Sequence, residues 1–100
     1  ALAKYRQTLL IALREVEDAL VDLKGLARSR AALERAVSSA RETRQLSQER
    51  YDKGLTNYLD IVDAERSVLQ TRLALSQVEA QQRITLAALA KALGGGWSGK

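Results

Sequence analysis

A seven-residue apolar repeat runs through most of this chain, and no proline interrupts it. Leu2, Leu9, Val16 and Leu23 form one row, and Tyr5, Ala12, Ala19, Leu26, Leu33 and Ala40 form a second, three residues on. Together they make an a/d seam of the coiled-coil type, which is buried only against a facing helix. The pattern predicts a helix over about residues 1–53, roughly 80 Å long at the α-helical rise. Gly25 is an isolated interruption. It costs about 1 kcal/mol against alanine in a helix interior and is a candidate for close helix approach. Beyond Leu33 the seam weakens: Arg30 and Arg44 fall in the first row, and residues 38–50 are almost wholly polar. Such a stretch needs neighbours that touch it through small residues, or a position facing water.

A second helical pattern covers about 58–93. Ile61, Val68, Leu75 and Leu89 share a stripe that Gln82 breaks. Leu55, Val62 and Leu69, joined by Leu59 and Leu73, form another, so this helix can meet partners on two sides. Between the two patterns lies the one turn signal, in the stretch YDKGLTNYLDIVDAER at 51–66. Gly54 suits the left-handed residue that ends a helix, with Leu55 expected to fold back on that helix. Asn57 suits the N-cap of the next helix, accepting from the backbone N–H near Asp60. Asp60 falls in the first turn, where negative charge is favoured. The expected fold is all-α: a long antiparallel coiled-coil hairpin with its tip at 54–57. Gly94, Gly95 and Gly96 are expected to stop the second helix, with Trp97 an interfacial or packing aromatic and 98–100 a frayed tail.

The chemistry open to the chain is narrow. With no Cys, His or Met there is no thiol chemistry and no soft metal site. Ser29, Ser38, Ser39, Ser67 and Ser76 have no recognisable base, and the glycine run follows a helix rather than opening one, so it is no phosphate loop. No enzyme activity, cofactor or metal is expected. No apolar run is longer than Leu9 to Leu13, far short of the roughly 20 residues that span a bilayer. The net charge is +4, but Arg41, Arg44 and Arg50 alternate with Glu42 and Glu49. That is a solvated helical face and not a nucleic-acid footprint. Ala1 begins inside a helical pattern without a signal peptide, so the chain is expected to be part of something longer. Residue counting lets the second helix cover the first back to about Glu17. Leu2, Tyr5, Leu9, Leu10, Ile11 and Leu13 are then left bare, and the isolated chain is expected to self-associate.

Two motifs make the sequence resemble a known family. The tip YDKGLTNYLDIVDAERSVL from Tyr51 and the ending ALGGGW from Ala92 are similar to the TolC-type outer membrane factors, the channels of bacterial tripartite efflux pumps. YRQTLL from Tyr5 and EVEDAL from Glu15 add to the likeness, which extends over essentially all 100 residues. The ending resembles the OprM- and NodT-like lipoprotein branch that serves RND-type transporters. The resemblance implies a homotrimeric parent in the outer membrane, with a lipid-modified N-terminus and β-barrel strands preceding Ala1. This segment would be a hairpin of the periplasmic α-barrel. It would work with a periplasmic adaptor (membrane fusion protein) and an inner-membrane RND transporter.

The same resemblance implies roles at the tip. Tyr51, Leu59, Asp60 and Asp63 match positions of the channel gate, and Gly54, Leu55 and Thr56 match the tip that docks on the adaptor. Thr56 departs from members that carry an arginine there, so the gate rests more on Leu59 packing and Asp63 contacts. Read from the residues alone, Asp60 and Asp63 are three apart and share a helix face. Three copies about an axis would give carboxylate rings that attract cations and repel anions. The plainer alternatives are a helix-start carboxylate at Asp60, a surface charge at Asp63 and a tip-packing aromatic at Tyr51. For the whole chain the rival is a coiled-coil interaction module such as an adaptor's own hairpin. An adaptor hairpin lacks the pairing of ALGGGW with this tip.

Overall fold

The computed structural model describes residues 2–98, with side chains as far as residue 94. Two helices account for nearly all of it: α1, Leu2–Asp52, and α2, Tyr58–Ser98. There is no strand among the described residues, and the chain is the all-α hairpin the repeats predict. Two compact units divide it, one Ser29–Glu79 and the other the residues up to Arg28 together with those from Ala80.

The unit at the tip holds most of the buried core. Val37 and Ala40 of α1 are buried with Ile61, Ala64 and Val68 of α2. Leu33, Ser47, Thr71, Leu75 and Val78 continue the same rows, half-buried. The first row of α2 is the stripe through Ile61, Val68 and Leu75. Its companion is Ala64, Thr71 and Val78, a row of mostly small residues that lets the helices approach closely. The larger stripe of α2 is uncovered: Leu59, Leu69 and Leu73 are each more than 60% exposed. On the polar part of α1 only Ala40 and Ser47 are drawn into the seam, as a helix without apolar bulk requires.

In the other unit the seam rows persist with looser burial. Ala12, Val16, Ala19, Leu23 and Leu26 are half-buried, as are Gln82, Leu89 and Ala92, and Thr85 is buried. Leu2, Tyr5, Leu9, Leu10, Ile11 and Leu13 are all exposed, so the bare stripe is present. Residue counting placed the end of α2 too low, however. Ala88, Lys91 and Ala92 share a groove with Thr8, Ile11 and Ala12. α2 itself continues past residue 93, where the count ended it.

Two local expectations are corrected. The helix does not stop at Gly94 but continues through Gly95, Gly96 and Trp97 to Ser98. A glycine ends a helix by taking a positive φ, and among the described residues Gly54 alone does so. Residues 99 and 100 of the expected tail, and the side chain of Trp97, lie outside the described residues. Gly25 marks no close approach: nothing stands within 4 Å of where a Cβ would sit.

Candidate functional site: the hairpin tip

The tip is closed by backbone hydrogen bonds. Leu55 N–H donates to the Arg50 carbonyl at 2.8 Å and Gly54 N–H donates to the Tyr51 carbonyl at 2.9 Å. This nested pair, closed by Gly54 at φ +75°, is the Schellman arrangement that ends a helix through a left-handed residue. Leu55 does not fold back, and is 72% exposed. The positions such a residue covers are Arg50 and Glu49, which offer it no apolar surface. On the far side Asn57 caps α2: its Oδ1 accepts from Asp60 N–H at 3.3 Å.

Side chains then distinguish the two carboxylates. The Thr56 hydroxyl donates to Asp60 Oδ2. Asp60 is therefore held by the cap region and sits in the positive first turn of α2. Asp63 is exposed and, among the described residues, has no hydrogen-bond or ion-pair partner. Leu59 lies one turn before Asp63 on the same face and is 67% exposed. That face looks away from Ile61, Ala64 and Val68 and carries on through Leu69 and Leu73. Tyr51 sits on neither carboxylate. Its ring meets Tyr58 edge to face, with centroids 5.8 Å apart. Two further contacts were not singled out from sequence, Tyr58 as the partner of Tyr51 and the Thr56–Asp60 bond. The signals were available: tyrosines seven apart astride the turn, and a Thr four residues before an Asp.

No helix of the described residues is long and apolar enough to cross a membrane, and no group of His, Cys, Asp or Glu is arranged to hold a metal ion. The site is a hydrogen-bonded turn beside an uncovered apolar ridge flanked by an unpaired carboxylate. Fold and site define a helical hairpin of the coiled-coil class.

The chain belongs to the outer membrane efflux protein family, which matches residues 1–95. It is 39% identical to the outer membrane protein OprJ of Pseudomonas aeruginosa over 97 residues, 97% of this chain and 20% of that protein. It is 34% identical to the cation efflux system protein CusC of Escherichia coli O6:H1, over 97% of this chain and 21% of that one. To the pyoverdine export outer membrane protein OpmQ of Pseudomonas putida it is 39% identical, over 96% of this chain and 20% of that protein. The chain thus spans about a fifth of the length of the curated relatives it matches. No solved structure matches it. Membership of this family sets aside the reading as an adaptor's hairpin.

Proposed function

We propose that this hairpin forms part of the periplasmic entrance of an outer membrane efflux channel and bears its gate. The parent would be a homotrimer, a passive conduit driven by an inner-membrane RND transporter and joined to it by a periplasmic adaptor. The observation that carries the reading is the second apolar row of α2. Leu59, Leu69 and Leu73 lie on a face the hairpin leaves uncovered, with half-buried Val62 in the same coiled-coil row and exposed Leu55 preceding it in the turn. A helix with two seams is suited to a closed ring of helices, where each has a neighbour on either side. Asp63 borders that row with no partner of its own. Three copies would bring three such carboxylates around an axis, next to rings of Leu59.

Gate roles follow for Leu59 and Asp63, with Asp60 and Tyr51 supporting them from the turn. Gly54, Leu55 and Thr56 form the surface offered to the adaptor, with Leu55 as its apolar contact. Opening is a repacking of the outer seam of α2 while the inner seam stays closed. The names of the relatives mention cations and pyoverdine, chemically unlike cargoes. That contrast supports a conduit in which this hairpin sets access and does not select substrate.

The test is Asp63→Ala in the full-length protein. The closed state should loosen, with higher single-channel conductance and greater sensitivity of cells to large antibiotics. Unchanged conductance together with unchanged sensitivity removes the gate role of Asp63. Docking is tested by Leu55→Cys against a cysteine at the adaptor's hairpin tip. A cross-link specific to that pair is expected.

A further inference from the structure

Arg30 stands in the first seam row of α1, seven residues before the buried Val37. A guanidinium in an apolar seam sacrifices packing, and a polar residue at such a position specifies something at a cost in stability. Its Nε donates to Glu34 Oε1 on the same helix at 3.0 Å. An Nη donates to Glu79 Oε2 on α2 at 3.3 Å. Of these two bonds, the second crosses between the helices. The Glu79 side chain is also the more shielded, 33% exposed against 55% for Glu34, so the crossing pair is screened less.

Arg30 and Glu79 make the last layer of the tip unit, at the end away from the turn. Toward the tip lie the five buried apolar residues of the core. Beyond the layer, among the described residues of either helix, Thr85 alone is buried. Burial therefore changes where the ion pair sits. Segments with little buried apolar area open at lower free energy than a packed core. A charge-assisted bond between the helices adds resistance at the layer where packing gives out.

We propose that the Arg30–Glu79 pair is a clasp that makes the hairpin open in two stages. Residues 2–28 part from 80–98 first, and the clasp keeps that separation from running on toward the tip. A seam built for stability alone would carry an aliphatic residue at 30, as it does at Leu23 and Val37. The clasp does not depend on what the parent protein transports.

Backbone hydrogen exchange in the full-length protein tests this. Amides at 12–26 and 81–92 should exchange before those at 29–37 and 70–79. Glu79→Gln should speed exchange at 29–37 and 70–79 by about three- to fivefold, the scale of a partly exposed ion pair, and leave 58–68 unchanged. Glu34→Gln touches the same guanidinium without crossing the seam and should have less than half that effect. Salt at about 1 M, where screening acts over ~3 Å, should reproduce the Glu79→Gln result in the unaltered protein. Equal effects of the two substitutions, no effect of Glu79→Gln, or uniform exchange along the hairpin would overturn the proposal.

Discussion

Tyr51 and Tyr58 face each other across the turn, one on the last turn of α1 and one on the first residue of α2, with ring planes at 66°. An edge-to-face pair contributes about 0.5–1.5 kcal/mol beyond the area it buries. Tyr58→Ala should therefore destabilise the tip by about 1 kcal/mol, read as faster exchange at the amides of Gly54, Leu55 and Asp60. Tyr51→Phe keeps the ring and removes the hydroxyl. It should leave that exchange unchanged, so any altered conductance of the parent would report a hydrogen bond made by the hydroxyl to another element.

Gly54 is constrained by its backbone and not by its surroundings. Its φ is +75°, yet nothing lies within 4 Å of an added Cβ. Gly54→Ala should cost about 1 kcal/mol, the left-handed penalty for a residue with a Cβ. Gly54→Asn should cost less, because asparagine tolerates that region. Thermal unfolding of the three proteins checks the order; equal losses would mean crowding rather than φ sets the cost.

The two caps of the tip can be separated. Asn57→Ala removes the side-chain acceptor from Asp60 N–H and should cost about 1 kcal/mol. Thr56→Val removes the hydroxyl on Asp60 and should destabilise by less, since the bond is exposed. Chemical denaturation of both variants distinguishes them.

The inner and outer seams of α2 should respond oppositely to truncation. Ile61 is 3% exposed and Ile61→Ala should cost about 2–4 kcal/mol of hairpin stability. Leu59→Ala and Leu73→Ala remove residues that are 67% and 61% exposed and should leave the hairpin within about 0.5 kcal/mol. If the outer row packs against neighbouring helices, those two should weaken assembly of the parent, measured by its resistance to dissociation on heating in detergent.

The exposed apolar side chains on 2–13 give a prediction for the isolated chain. At micromolar concentration it should be helical and self-associated. A monodisperse monomer by light scattering would contradict this.

Much of this was legible in the sequence because large apolar residues carry period information. The row through Leu2, Leu9, Val16 and Leu23, and the stripe through Ile61, Val68 and Leu75, are visible at a glance. The companion row of α2 was not, because Ala64, Thr71 and Thr85 are small or polar and give no hydropathy signal. The turn was readable from Gly54 and Asn57, whose conformational and capping preferences are local. Gly94 to Gly96 misled, since glycine permits a helix end without dictating one. At the site, the sequence placed Asp60 and Asp63 on one face, but only coordinates show Thr56 holding Asp60 and leaving Asp63 unpaired. That difference depends on a side-chain rotamer, which spacing alone does not set.

Local hydrogen bonds close the turn, with Gly54 supplying the geometry and Asn57 the cap. Lys53 and Leu55 consequently contribute backbone groups to the turn but no side-chain contact that it needs. Substitution at either position changes what the tip presents while the scaffold stays fixed. A tip of this kind can acquire a new recognition partner by single substitutions without first relearning how to fold.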